Sequence, residues 1–254
     1  MSNPFSDEHM AAGYAAARPP VHPRVLALLR DWLGGRHHRV ALDLGCGAGL
    51  STRPLREMAA TCVGFDPAEA MVRTARTLRP DLPFVAAGAE AMPFATASVD
   101  LVAAAGSLNY TRDLAAVWPE VRRVLTADGC LAVYDFATAR SFADGDTLDA
   151  WFQAFTTRYP YPAGQAIPLS PAILAERASG FRVERGEDFA IPITLTPEFF
   201  VDYMLTETCV QDAVRRGTPL ESVRQWCEAT LPDVFGRRPR PVLFRGYLAT
   251  LTAH

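Results

Sequence analysis

Short apolar runs recur at regular intervals along the first half of the chain. They are mostly free of charged residues, as expected of strands that a parallel sheet buries on both faces. Each run is bounded by glycine, proline or polar residues, which end strands. The pattern predicts strands at 40–44, 61–65, 83–86, 99–104 and 130–134.

Apolar positions with helical spacing lie before and between these runs. They cover residues 25–33, 71–78 and 114–125, and Asp113 is the predicted N-cap of the last. Strands that alternate with helices in this way form parallel sheets with right-handed crossovers. The first half of the chain therefore predicts a doubly wound α/β sheet.

The alternation stops after the fifth run. Residues 137–178 hold many aromatic side chains and a turn-rich stretch, which together predict a helical cap. The run 189–193 contains a proline, which predicts an edge strand because proline cannot donate to a sheet ladder. A capping box at 218–221 predicts a helix start, and the run 242–251 predicts a last strand.

Composition narrows the class of protein. The 254 residues carry 25 basic and 28 acidic side chains, whereas nucleic-acid binders usually carry a basic surplus. The five cysteines are scattered without metal-ligand spacing, so we expect reduced thiols, a cytoplasmic protein and no metal site. Neither a signal peptide nor an apolar stretch long enough to span a membrane is expected.

The strongest chemical signal is the stretch from Asp43 to Gly49, which reads Asp-Leu-Gly-Cys-Gly-Ala-Gly. It follows the first predicted strand and precedes a helix. Glycines at such a point let the chain turn sharply and let a ligand approach the main chain. A tight turn without a ligand is the alternative, although three glycines and an acid exceed what a turn requires.

A second acid, Asp66, ends the second predicted strand. Adjacent parallel strands place their carboxyl ends at one edge of a sheet, so Asp43 and Asp66 should lie close together. The Asp66 carboxylate could accept hydrogen bonds from both hydroxyls of a ribose. The sequence from Asp66 to Glu69 also suits a helix N-cap, and the residues alone leave the two roles open.

The acid-x-Gly-x-Gly-x-Gly stretch resembles the first motif of class I S-adenosylmethionine-dependent methyltransferases, residue for residue. The resemblance covers about residues 39–135 and is strongest to the small-molecule branch that includes the quinone-biosynthesis C-methyltransferases. It implies a Rossmann-like, mostly parallel sheet with an antiparallel last strand, a helical cap, and S-adenosylmethionine as methyl donor. The donor-site residues that it implies are Asp43, Gly45, Cys46, Gly47, Gly49, Asp66, Pro67, Met71, Ala89, Glu90, Gly106, Tyr14 and Arg18.

The rest of the resemblance is less regular. The segment 88–94 resembles the family segment that contacts adenine, but Gly88 stands where an aspartate is usual. The stretch 123–129 resembles a structural turn of the family. Tyr14 and Arg18 resemble the N-terminal segment that folds over the donor, and Asn109 stands where the family often has a histidine.

Methyl transfer from a sulfonium needs mainly an aligned nucleophile and the exclusion of water. Asp135, at the end of the fifth predicted strand, is the candidate catalytic base, with loop capping as the alternative. The five histidines are expected to be solvated. We expect a small apolar or aromatic acceptor, bound by aromatic residues between 137 and 205, although those aromatics also fit ordinary packing.

We therefore predict four parts: an N-terminal helical segment over the donor (1–36), the donor-binding core (37–136), a cap (137–187), and C-terminal strands and helices that complete the acceptor pocket (188–254). A nicotinamide-dependent oxidoreductase is the first rival, but its third glycine would come one residue later and the chain has no lysine. A non-catalytic binding protein of the same fold is the second. A nucleic-acid methyltransferase is the third, but its Asn/Asp-Pro-Pro-Tyr and Pro-Cys motifs do not appear.

Overall fold

A computed structural model describes residues 13, 15–111, 113–162, 164 and 166–254. The strands are β1 (His38–Leu44), β2 (Ala59–Asp66), β3 (Phe84–Ala86), β4 (Val99–Ala105), β5 (Leu125–Phe142), β6 (Phe181–Leu195) and β7 (Arg240–Ala253). The helices are α1 (His22–Trp32), α2 (Thr52–Arg56), α3 (Glu69–Leu78), α4 (Leu114–Val124), α5 (Asp149–Arg158), α6 (Pro171–Arg177), α7 (Pro197–Leu205), α8 (Thr208–Arg215) and α9 (Leu220–Val234).

The strands form a single sheet in the order β3-β2-β1-β4-β5-β7-β6. The first five pair in parallel, and β7 runs antiparallel to both β5 and β6. The predicted Rossmann-like sheet with an antiparallel last strand is therefore confirmed. Pro192 lies in β6, which is the outermost strand, so the predicted edge position is confirmed as well.

Two apolar layers enclose the sheet. One face packs against α1, α5, α7, α8 and α9, and the other packs against α4 and α6. Helix α4 begins as predicted, because the Asp113 carboxylate accepts from the amides of Ala115 and Ala116. In the part of the chain that is described, no helix is long and apolar enough to cross a bilayer.

The aromatic residues of the predicted cap mostly fill this core. Trp151 stacks on Phe155 at 5.0 Å between ring centroids, and both side chains are buried together with Phe200. Tyr161 is the exception, because 45% of it is exposed. Ordinary packing of helices on the sheet thus accounts for Trp151, Phe155 and Phe200.

Two local predictions were wrong. Strand β5 continues eight residues beyond the predicted end at 134, because β7 pairs along it as far as Phe142. The capping box at 218–221 does not form, and α9 begins at Leu220 without a side-chain cap. The Thr218 amide instead donates to the carbonyl of Ala213 and closes the end of α8, which removes Thr218 from the capping position.

Candidate active site

The glycine loop leaves β1 at the carboxyl edge of the parallel strands. All three glycines have positive φ, at 68° for Gly45, 52° for Gly47 and 80° for Gly49. A Cβ at Gly45 would overlap Ser107, and one at Gly49 would lie 2.9 Å from the Phe84 ring. A Cβ at Gly47 would meet no atom within 4 Å, so Gly45 and Gly49 serve packing and Gly47 borders open space.

Asp43 lies beneath this loop and is completely buried. Its Oδ2 accepts hydrogen bonds from the hydroxyls of Ser51 at 2.7 Å and Thr52 at 2.6 Å. Its Oδ1 has no hydrogen-bond partner among the described residues. Burial raises the pKa of Asp43 to about 6, against the opposing effect of the two hydroxyls.

Asp66 lies beside the glycine loop, as its place at the end of β2 predicts. Its Oδ2 accepts from the Gly47 amide at 3.0 Å, and its Oδ1 accepts from the Ala68 amide at 2.8 Å. The N-cap of α3 is Ala68, so Asp66 supports the helix start from two residues before the capping position. Burial raises the pKa of the Asp66 carboxyl, and the two amides oppose this.

The other predicted donor residues border the same loop. Met71 is buried against Ala48 and Ala68, whereas Pro67 is exposed. Cys46 is a buried free thiol whose amide, like that of Gly45, donates to the Phe65 carbonyl. These two bonds hold the loop against β2.

The segment after β3 is tied to α4 by hydrogen bonds between its main chain and two charged side chains of that helix. Arg123 donates to the carbonyls of Phe94 at 2.7 Å and Met92 at 2.9 Å, and it pairs with Glu120. Glu120 in turn accepts from the Met92 amide at 2.8 Å. The Arg123 contacts are structural, as the motif implied.

Two predicted adenine contacts lie within that segment. Ala89 is buried, and Glu90 is exposed with its carboxylate turned toward Gly88. A Cβ on Gly88 would lie 3.0 Å from a Glu90 carboxylate oxygen. The adenine contact stays a prediction for both residues.

Gly106 and Asp135 are adjacent at the same edge of the sheet. Gly106 has φ 62°, and a Cβ there would lie 2.9 Å from Asp135 Oδ1. Asp135 lies within β5 rather than at its end, and its Oδ1 accepts from the Phe136 amide at 2.8 Å, so it caps no loop. Burial raises the pKa of Asp135, opposed by the Phe136 amide and the charge of Arg18.

Arg18, in the N-terminal segment before α1, is close enough to this edge for its charge to act on Asp135. Its guanidinium is 5.2 Å from the centre of the Tyr203 ring and forms an ion pair of 3.7 Å with Glu207. The second oxygen of Glu207 accepts from the Tyr161 hydroxyl at 2.8 Å. Tyr14, the other predicted residue of this segment, lies outside the described residues.

Asn109 has a role that sequence reasoning missed. The side-chain amide of Asn109 donates to the main-chain carbonyl of Ile167 at 3.1 Å, and the main-chain carbonyl of Asn109 accepts from the Ile167 amide at 2.7 Å. The two bonds hold the segment before α6 against the turn that follows β4. No sequence signal marks a contact between residues this far apart.

The expectation of solvated histidines was wrong for His22 and His38. His22 Nδ1 is 2.9 Å from the Tyr134 hydroxyl, and burial lowers the pKa of His22 to about 4. His38 is buried at the start of β1, where burial also lowers its pKa. Among the described residues, no cluster of histidine, cysteine and acidic side chains could hold a metal ion.

Comparison with known proteins finds similarity in the part of the chain that carries the glycine loop. A family model described as a methyltransferase domain matches residues 42–133. The chain is 33% identical over 142 residues to a demethylmenaquinone methyltransferase of Beutenbergia cavernae, covering 56% of this chain and 57% of the relative. It is 32% identical over 168 residues to a malonyl-[acyl-carrier protein] O-methyltransferase of Pseudescherichia vulneris, covering 66% of this chain and 62% of the relative. The chain thus spans about three-fifths of the length of each of these two relatives.

One solved structure is similar over most of its length. It comes from Anaeromyxobacter dehalogenans and is provisionally assigned to the type II methyltransferases. The match has a TM-score of 0.67 at 24% identity and covers 89% of this chain and 95% of that one. At this identity the likeness establishes the fold alone.

Proposed function

We propose that this chain, whose residues 42–133 match a family model described as a methyltransferase domain, is a class I methyltransferase that transfers a methyl group from S-adenosylmethionine to a small-molecule acceptor. The observation that carries the proposal is the open space at Gly47 beside Asp66, together with the unpaired oxygen of buried Asp43. A buried carboxylate oxygen without a partner is unfavourable unless a ligand supplies a donor or a positive charge.

The residues present fit the donor. S-adenosylmethionine carries a sulfonium, an ammonium and a ribose diol, and the site offers carboxylates from Asp43, Asp66 and Asp135 at one edge of the sheet. Asp43 would complement positive charge, and Asp66 would accept from the ribose hydroxyls. When bound, S-adenosylmethionine supplies a methyl carbon that its sulfonium has activated toward a nucleophile.

The chain itself then has to position the acceptor and exclude water. The segment that Asn109 holds and the ion pair of Arg18 with Glu207 would serve this role. We propose a small apolar or aromatic acceptor. Relatives named for demethylmenaquinone and for trans-aconitate support a small molecule but differ in its chemistry.

We keep the four-part organisation as a proposal, with residues 1–36 over the donor and the acceptor pocket formed from 137–187 and 188–254. Its support is that Ala15 packs against the cluster of Ala48 and Met71 beside the glycine loop. A cytoplasmic location is proposed on the five free cysteines.

The test is a calorimetric titration with S-adenosylhomocysteine, the product form of the donor, with NADH as comparison. We expect micromolar-range binding of S-adenosylhomocysteine and none of NADH. Asp66→Ala should weaken binding by roughly tenfold to a hundredfold, the usual loss when a hydrogen bond to a charged group is removed. Asp128→Ala is the matched control, because Asp128 is exposed near the opposite end of β5.

Two results would contradict the proposal. One is the absence of S-adenosylhomocysteine binding to the unaltered protein. The other is binding of NADH that depends on Asp66, which would favour a nicotinamide-dependent enzyme instead.

A further inference from the structure

Tyr247 on β7 carries a hydroxyl that the fold leaves without a partner. The side chain is only 7% exposed, and its oxygen has no hydrogen-bond partner among the described residues. A phenol that loses its hydration without gaining a hydrogen bond destabilises the fold. Buried polar groups of this kind are rare, so the position calls for an explanation.

The sheet register places Tyr247 beside Asp135 of the candidate site. Tyr247 pairs directly with Asp135 across β5 and β7, and opposite residues in such a pair extend from one face, roughly 5 Å apart at Cβ. On the other side of β5, Tyr134 pairs with Ala105 of β4, so the next residue, Asp135, is level with Gly106. Tyr247, which pairs with Asp135, is therefore level with Gly106 as well.

Gly246 makes this approach of the two strands possible. A Cβ on Gly246 would collide with the Asp135 carbonyl oxygen, so only glycine lets β7 lie this close to β5 here. The close approach fixes Tyr247 next to Asp135. Burial, and to a lesser degree the Asp135 charge, raises the pKa of Tyr247.

The two groups are near each other without sharing a hydrogen bond. Asp135 Oδ1 is taken by the Phe136 amide, and no bond joins the Asp135 carboxylate to the phenol. The phenol can both donate and accept, so a ligand group that satisfies its unpaired O–H has to accept from it and also to donate to the carboxylate. A hydroxyl does both, whereas a carboxylate cannot donate and an ammonium cannot accept.

We propose that Tyr247 and Asp135 together hold the hydroxyl of the acceptor, which makes the acceptor a small alcohol or phenol that is methylated on oxygen. This inference rests on the proposed function. In the step, the acceptor O–H proton passes to the Asp135 carboxylate and the oxygen forms the new O–CH3 bond. The S–CH3 bond breaks as it forms, and its electron pair stays on sulfur, which leaves a neutral thioether.

The direction of the Asp135 shift suits this role, because burial raises its pKa and so makes the carboxylate a stronger base. Tyr247 would orient the acceptor oxygen by donating to one lone pair. The second lone pair is then free to face the methyl carbon.

The test uses Tyr247→Phe, which removes the hydroxyl and keeps the ring. Tyr159→Phe is the matched control, since Tyr159 is also buried but its hydroxyl accepts from Arg158 at 3.0 Å. Phenol, aniline and benzoate are the probes, each titrated into the complex with S-adenosylhomocysteine. We expect phenol to bind most tightly, and about tenfold more weakly to Tyr247→Phe than to the unaltered protein.

A second readout needs no acceptor. Removing an unpaired hydroxyl should leave the Tm of Tyr247→Phe unchanged or raise it by about 2–4 °C, while Tyr159→Phe should lower it. The affinity for S-adenosylhomocysteine should stay the same in both variants.

The inference is overturned if phenol fails to bind the S-adenosylhomocysteine complex, if it binds Tyr247→Phe equally well, or if aniline or benzoate binds more tightly. It is also overturned if Tyr247→Phe lowers the Tm as the control does. Failure of S-adenosylhomocysteine itself to bind would instead refute the proposed function on which the inference rests.

Discussion

Replacing Asp43 by asparagine tests whether the fold keeps a destabilising charge beneath the glycine loop. The carboxylate is fully buried, and only its Oδ2 is hydrogen-bonded, to Ser51 and Thr52. Asparagine has nearly the same shape and keeps one oxygen for the two hydroxyls. It cannot carry the negative charge, so the variant removes the titration and little else.

The size of the effect follows from the pKa. Burial raises the pKa of Asp43 from 3.8 to about 6, and each pKa unit corresponds to about 1.4 kcal/mol. Because the folded-state pKa is raised, the stabilisation is complete below the unfolded value and is lost as the pH rises through about 6. From about pH 4.5 to about pH 7.5 the unaltered protein should lose about 2 kcal/mol of unfolding free energy at this group.

The assay is chemical denaturation of both proteins at those two pH values. The difference in unfolding free energy should shift in favour of Asp43→Asn by about 2 kcal/mol between them. Titrations of Asp135 and His22 occur in both proteins and cancel, whereas Asp66 interacts electrostatically with Asp43 and adds a smaller change of the same origin. Asp128→Asn, at an exposed position, should show no such shift.

The variant should also bind S-adenosylhomocysteine at least about tenfold more weakly near neutral pH, because a charge that complements the ligand's ammonium is lost. A difference in stability that does not change with pH would refute the argument, since it would mean that Asp43 titrates near its ordinary value. If Asp43→Asn is more stable but binds S-adenosylhomocysteine with unchanged affinity, the Asp43 charge affects stability alone and Asp43 is not a donor-binding residue.

Two further predictions concern tethers within the fold. Arg240→Ala should lower the unfolding free energy by about 1.5–3 kcal/mol in chemical denaturation, because it removes the charge-assisted hydrogen bonds of a buried guanidinium. Arg240 bonds Asp144 and Asp146 at 2.6 and 2.8 Å, and both carboxylates are exposed to solvent. A loss below about 1 kcal/mol would show that the cluster acts as a surface pair. Asn109→Ala should weaken the binding of phenol to the S-adenosylhomocysteine complex, because the variant releases the segment around Ile167. The affinity for S-adenosylhomocysteine itself should stay within about twofold. An equal loss of both affinities in calorimetry would contradict this prediction.

The predictions that held were those that depend on neighbouring residues. Glycines at Gly45, Gly47 and Gly49 adopt positive φ, and Asp113 caps α4, because a turn or a cap involves only a few consecutive residues. The meeting of Asp66 with the glycine loop was also predictable, since parallel strands align their carboxyl ends.

The features that were missed depend on residues far apart in the chain. Asn109 bonds Ile167 across 58 positions, and His22 meets Tyr134 across 112. The Tyr247 hydroxyl is distinctive only because nothing bonds it, which a sequence cannot show. Strand β5 is longer than the apolar run that predicted it. Its second half pairs with β7, which is far away in the chain, and the hydrophobic pattern of β5 alone does not indicate that pairing.

The unbroken strand β5 bears on how such a protein can diversify. It runs from Leu125 to Phe142 and belongs both to the parallel part of the sheet and to its antiparallel extension with β7. Helices α5 to α9 therefore enter the chain as two inserts, 143–180 and 196–239, between three strands that pair side by side. Changes in length or sequence within these inserts leave the ladder and the glycine loop in place. Under the proposed function, variation in these inserts would change which acceptor is bound without altering the glycine loop that is proposed to hold the donor.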